Sequence, residues 1–386
     1  MPSNPAPAAP LAEAPTKPLF PFLDLKAQEE PLREELLHAV AEVLDSKQYI
    51  MGPAAVRFEQ HMAEYIGCHF ALGCASGTDA VLLALRAVGV TAGDEVIVPS
   101  FTFVATAGMV AWLGAKPVFA DIDIATFNLD VRSVTRCTTP RTKAIVPVHL
   151  FGLTADMDPL LALGRERGIA VVEDAAQAIG AKYHGRSAGT LAEIGSFSFY
   201  PTKNLGAGGD GGLITTKDPE LAKRIKLLRN HGSPRRYEYD VVGTNSRLDS
   251  IQAAILDVKL KYLDRWAEGR RRNAARYNQL FGSAGLDEVV KTPIEPAGYS
   301  HIFNQYTVLA PRRDQLRQYL SERGIPTEIY YPFPLHLQPA FAGLGYLPGS
   351  LPVTEAVAGE VLSLPIYPEL RDEQLQAVVR AIADFY

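Results

Sequence analysis

The 386-residue chain has only three cysteines, two tryptophans and no excess of positive charge: 38 Lys and Arg stand against 43 Asp and Glu, a formal −5. Cys68, Cys74 and Cys137 are too few for a disulfide framework and lack metal-site spacing, so they suit packing in a reducing cytoplasm. The eight histidines show no metal-ligand spacing either, and no metal is expected. Without a basic excess there is no electrostatic footprint for nucleic acid. No apolar run reaches the length of a membrane span. The opening residues are mostly Pro and Ala with Lys17 as the one basic residue, unlike a signal or transit peptide. Residues 1–19 are expected to be a disordered tail. What is present is a 47% hydrophobic composition, enough for a large core and a second, smaller one.

From Phe70 onward short apolar runs alternate with helical patterns. Strands are expected at Phe70–Cys74, Glu95–Val98, Lys116–Ala120, Ala144–Val148 and Ala170–Glu173, with helices between them. That alternation predicts an α/β fold with a mostly parallel, doubly covered sheet. Gly195–Phe199 and Gly212–Thr216 are too close for a helical crossover, so a hairpin or edge pair is expected there. Asn245–Arg272 carries apolar residues at helical spacing and is predicted to be one long helix. A large domain over 20–265 and a small α+β domain over 266–386 follow.

The chemistry concentrates in Ser196-Phe197-Ser198-Phe199-Tyr200-Pro201-Thr202-Lys203-Asn204-Leu205-Gly206. One lysine sits in a short turn after an apolar strand and before glycines. Upstream, Val171-Val172-Glu173-Asp174 ends a second strand in acid. Pyridoxal phosphate needs this pair: an amine for its aldehyde, and a carboxylate that keeps the pyridine nitrogen protonated so the ring can act as an electron sink. Taken singly, Lys203 reads as a solvated surface lysine and Asp174 as a helix N-cap. Glu173 alternates to the opposite strand face and reads as structural. Ser76-Gly77-Thr78 opens a helix directly after a strand, where free N–H groups and the dipole suit a phosphate. Gly206–Gly211 fits G-x-G-x-x-G but precedes a strand and opens no helix, so it is not a dinucleotide site.

EDAAQA, SFSFYPTKNLG and GDGG together resemble the DegT/DnrJ/StrS-type sugar aminotransferases, and the resemblance covers about residues 20–386. It implies fold type I, pyridoxal phosphate on Lys203, and a homodimer with shared active sites. It further implies transfer of an amino group from L-glutamate to a nucleotide-linked keto sugar. Cofactor contacts carried by the resemblance are Gly77, Thr78, Phe103, Asp174, Gln177, Ser198 and Lys203, with Asn245 crossing to the neighbouring subunit. Arg247, Tyr331 and His336 fall where relatives meet the substrate. Each also has a plainer reading: Phe103 as a core residue, Asn245 as a helix cap, His336 as a surface histidine. Asn304 departs from the pattern, since many relatives carry histidine there.

Gln177 resembles the branch that aminates carbon 3 of the sugar, where carbon-4 enzymes often carry histidine. The rival readings are a carbon-4 aminotransferase, a sugar dehydratase of the same fold and a regulatory homologue without turnover. Dehydratase relatives replace the lysine with histidine, which Lys203 opposes. A cytoplasmic enzyme of amino-sugar and polysaccharide building is the expectation.

Overall fold

A computed structural model describes residues 18–386. Most of the expected tail therefore lies outside the described residues. Leu19, at its end, donates its N–H to the Gly324 carbonyl at 2.9 Å.

Seven strands form the central sheet: β1 (Phe70–Cys74), β2 (Glu95–Pro99), β3 (Lys116–Ala120), β4 (Thr142–Ile145), β5 (Ala170–Asp174), β6 (Ile194–Ser198) and β7 (Gly212–Thr216). Their spatial order is β1-β7-β6-β5-β4-β2-β3. Only β7 runs against its neighbours; every other pairing is parallel. The expected antiparallel pair is thus present, but not at an edge. β7 lies between β6 and β1, because β1 takes up the ladder groups that an edge strand would leave open.

Strand side chains alternate between two apolar layers, as a period of two requires. Val96, Val98 and Val172 face one layer, with Leu83 and Leu85 of the Gly77–Ala87 helix. Ile97, Ile145 and Val171 face the other, against Met157 and Leu160 of the Met157–Arg167 helix. Fully burying one such side chain is worth about 1.5–3 kcal/mol, so coverage on both faces fixes the strand register.

The stretch expected to form one helix from Asn245 to Arg272 divides. Residues Asn245 to Asp249 are not helical, and Asn245 forms an isolated bridge with Asn230. Helices run over Ser250–Leu260 and Leu263–Ser283. Apolar spacing persists across the break because both helices bury a face, and spacing carries no information about axis direction. Polar anchors sit at the break: Tyr262 Oη donates to Glu35 at 2.6 Å, and Lys259 pairs with Glu29.

Beyond it, Tyr306–Leu309 pairs antiparallel with Val361–Leu364. A separate core of Tyr277, Phe281, Leu316, Leu362 and Val378 forms there, and Phe20 from near the chain start joins it. In return Leu335, Phe341 and Leu351 pack into the core of the large sheet. The two cores are tied by chain segments that cross between them.

Candidate active site

Because six strands run the same way, their carboxyl ends share one edge of the sheet, where open α/β sheets bind ligands. β1 leads there to Ser76 and Gly77, β2 to Phe101 and Phe103, β5 ends in Asp174, and β6 ends in Ser198 just before Lys203. Register fixes one of these: Asp174 of β5 lies opposite Ser196 of β6.

Lys203 sits in a turn closed by its own N–H donating to the Tyr200 carbonyl at 2.8 Å. Its ammonium has no hydrogen-bond or ion-pair partner among the described residues. Burial pushes it down to about 8, and the nearby Asp174 carboxylate opposes part of that shift. Such an amine is neutral, and so nucleophilic, in a large fraction near pH 8. The tight return after it needs glycine: a Cβ on Gly206 would meet the Pro201 carbonyl oxygen at 2.2 Å.

Asp174 is buried and held at both carboxylate oxygens. Oδ1 accepts the Ala176 N–H at 3.1 Å, and Oδ2 accepts the Thr106 hydroxyl at 2.7 Å. No helix follows β5, so Asp174 caps none. Glu173 points the other way, fully buried, accepting from Gly189 and Ala192 N–H groups and paired with His149 at 2.9 Å.

Ser76 caps the Gly77–Ala87 helix by accepting the Asp79 N–H. Among the described residues, the Gly77 and Thr78 amides take no acceptor, which leaves them for an anion at the positive end of the dipole. Ser198 lies against Gly77 so closely that a Cβ there would sit 2.5 Å from the Ser198 Cβ. Phe103 is 57% exposed, not in the core, and its ring lies 6.4 Å from that of Tyr331. Gln177 accepts the Phe151 N–H through Oε1 and donates from Nε2 to the Tyr331 hydroxyl. Burial pushes the Tyr331 phenol up, opposed by the Gln177 hydrogen bond. Phe103, Gln177 and Tyr331 are therefore brought together on the Asp174 side of the edge.

Three expected residues are not. Asn245 is exposed and, within one chain, meets none of the others. Arg247 donates to Asn230 Oδ1 at 3.0 Å and lines a small cavity with Met51, Glu59 and Arg229. His336, expected at the substrate, is buried with both ring nitrogens engaged, by Ser100 Oγ at 2.7 Å and Glu355 at 3.1 Å. It ties its loop to the end of β2, and no ring atom is left for a sugar. Asn304 is buried as well, and its Oδ1 finds no partner among the described residues.

Sequence reasoning missed Thr106 and Lys259. Thr106 sits in an unremarkable Ala-Thr-Ala run and gives no signal. Lys259 did give one, since it follows Ile255 by four positions on an apolar face. Its ammonium is buried, paired with Glu29, and donates to the Gly206 carbonyl at 2.8 Å, bracing the Lys203 turn.

These groups fit pyridoxal phosphate: a partnerless amine beside a doubly anchored carboxylate, free amides for a phosphate and an exposed aromatic for a ring. Among the described residues no cluster could hold a metal ion, and no helix is long and apolar enough to cross a membrane. Comparison with known proteins agrees. The profile of the DegT/DnrJ/EryC1/StrS aminotransferase family matches residues 30–383. A protein of Geobacillus stearothermophilus named "Pleiotropic regulatory protein" is 52% identical over 95% of this chain and 98% of its own. The UDP-N-acetyl-3-dehydro-alpha-D-glucosamine 3-aminotransferase of Acidithiobacillus ferrooxidans is 46% identical over 94% of this chain and 97% of its own. The crystal structure of S. venezuelae DesV in complex with a ketimine intermediate superposes with a TM-score of 0.92 at 45% identity, covering 96% of this chain and 99% of that one.

Proposed function

The chain belongs to the DegT/DnrJ/EryC1/StrS aminotransferase family, fold type I enzymes dependent on pyridoxal phosphate, and from that premise we propose its reaction and the residues that perform it. The reaction is transfer of an amino group from L-glutamate to carbon 3 of a keto sugar carried on a nucleoside diphosphate. One observation carries the reading: the Lys203 amine, partnerless and lowered to about 8, beside the buried and doubly hydrogen-bonded Asp174.

When bound, pyridoxal phosphate supplies the electron sink and the temporary carrier of nitrogen. Lys203 would hold the cofactor through its amine and would carry a proton at Nζ as a general base and acid. Asp174 would keep the proton on the ring nitrogen. Gly77, Thr78 and Ser198 would hold the phosphate, and Phe103 would lie against the ring. Gln177 would meet the cofactor, and Tyr331, hydrogen-bonded to it, would border the sugar. Asn245 would reach the phosphate of the partner subunit's site in a homodimer, which suits its exposure. Arg247 meets an anionic part of the substrate, a diphosphate or a carboxylate, through bidentate contacts. The similarity to a 3-aminotransferase supports carbon 3, as does Gln177.

The same reading divides the chain into a cofactor domain over 20–265 and a smaller domain over 266–386, supported by the separate core around Tyr277 and Val378. It assigns the protein to amino-sugar supply for a polysaccharide or glycosylated product in the cytoplasm. A regulatory role finds support in the name of one relative. Nothing in the packing requires Lys203 to stay partnerless, and turnover accounts for it.

Incubation with glutamate and matched 3-keto and 4-keto nucleotide sugars, with the new C–N bond located by NMR, tests the proposal. Amination at carbon 4 alone overturns the regiochemistry. Cofactor absorbance unchanged by glutamate, with no sugar aminated, overturns the reaction.

A further inference from the structure

Thr106 has a single hydroxyl proton. In a helix a threonine usually spends it on a carbonyl three or four residues back. Here the side chain is 1% exposed and the proton goes to Asp174 Oδ2 at 2.7 Å, across 68 residues of sequence. The other carboxylate oxygen is taken by the Ala176 N–H. The Asp174 backbone is fixed on both sides too, its N–H donating to Pro147 and its carbonyl accepting from His149, each at 2.9 Å. The main chain thus determines where Asp174 begins, and Ala176 pins one oxygen. Among the described residues only Thr106 fixes the other. Thr106 also lies three residues after Phe103, in the first turn of the Ala105–Trp112 helix. One helix start therefore carries both the exposed aromatic and the donor to the carboxylate.

We infer that Thr106 is a positioning residue for the transfer reaction, its hydroxyl orienting Asp174 and moderating how strongly that carboxylate draws on the ring-nitrogen proton. The inference rests on the reading that Asp174 faces the ring nitrogen. A hydroxyl donating to a carboxylate disperses its charge and makes it a weaker proton acceptor. Remove the donor, and two things follow. The carboxylate is free to rotate about its last bond, and it pulls the shared proton away from nitrogen. The ring then withdraws electrons less effectively, which slows proton removal at carbon without changing how the sugar is held.

The test uses Thr106→Val, which keeps the shape and branching but lacks the hydroxyl, and Thr106→Ser, which keeps the hydroxyl. Apoprotein of each variant is reconstituted with pyridoxal phosphate isotopically labelled at the ring nitrogen, and that resonance is recorded by NMR. Thr106→Val should move it toward the neutral-pyridine position. It should also lower kcat about tenfold to a hundredfold, the weight of one hydrogen bond to a charged group, with the sugar KM nearly constant. Thr106→Ser should restore both. Asp174→Asn serves as the reference, expected to displace the resonance fully. If Asp174→Asn moves the resonance and Thr106→Val leaves it in place, the role of Thr106 is overturned while the assignment of Asp174 stands. If neither moves it, both are overturned. A lower melting temperature in Thr106→Val with an unmoved resonance would mean that the hydroxyl only supports the fold.

Discussion

The side-chain amide of Gln177 donates to the phenolic oxygen of Tyr331 at 3.2 Å, while its own oxygen accepts the Phe151 N–H at 2.7 Å. The second bond fixes the orientation of the amide, because a backbone N–H can only donate. The amide nitrogen therefore has to face Tyr331, and the Tyr331 proton remains available for another acceptor. Tyr331→Phe should keep the ring packing against Phe101 and Phe103 but remove that donor. We expect a several-fold loss of kcat/KM toward the sugar half-reaction and little change toward glutamate, measured by stopped-flow absorbance. Gln177→Leu, which orphans the buried Phe151 N–H, should also lose about 1–3 kcal/mol of stability.

Borohydride reduction of the holoenzyme followed by peptide mapping should place the pyridoxyl group on Lys203 and on no other lysine. The amine of the apoprotein is charged below about 8 and neutral above it, so cofactor capture should accelerate as pH rises through that value. A rate of reconstitution that is flat from about pH 6.5 to 9 contradicts a lowered lysine.

Lys203→Ala and Asn245→Ala protein, each inactive alone, should recover activity when mixed and allowed to exchange subunits, because some sites then carry both residues intact. Heterodimers confirmed by mass spectrometry that stay as inactive as the parents would remove Asn245 from the partner's site.

His336 makes a different prediction from a substrate contact. His336→Ala leaves the buried Ser100 hydroxyl without its ring partner and should lower stability by about 1–3 kcal/mol. His336→Gln, with a donor and an acceptor of its own, should recover part of that loss. A residue touching sugar would instead raise the sugar KM in both variants at unchanged melting temperature.

His301 is buried, stacked on Phe303 at 3.9 Å, and accepts the Phe303 N–H. Burial lowers it from 6.5 to about 3, with the Arg271 charge adding to the shift. Between those values the unfolded chain binds a proton that the folded chain refuses. Stability is therefore lost as pH falls below about 6.5. The melting temperature should drop between about pH 7 and pH 5, and the drop should be smaller in His301→Gln, which cannot titrate.

Strand positions and the nearness of Lys203 to Asp174 were legible because they depend on local pattern. Lys116–Ala120 and Gly212–Thr216 fall where the apolar runs place them, since coverage on both faces demands continuous apolar strands. Lys203 and Asp174 could be paired on paper because each ends or follows a strand, and parallel strands bring such ends to one edge. The break at Lys261 and Tyr262 was not legible. Two helices that bury successive faces share one periodicity, and only contacts to distant Glu29 and Glu35 mark where the axis turns.

The sequence alone determined the sheet class and the placement of Lys203 and Asp174 at neighbouring strand ends, because these follow from hydrophobic alternation. Tertiary structure decided what surrounds them. Thr106 turns toward Asp174, Gln177 toward Phe151 and Tyr331, and His336 toward Ser100 and Glu355. A hydrogen bond is specified by distance and direction between groups 19 to 236 residues apart here, and no local pattern encodes either.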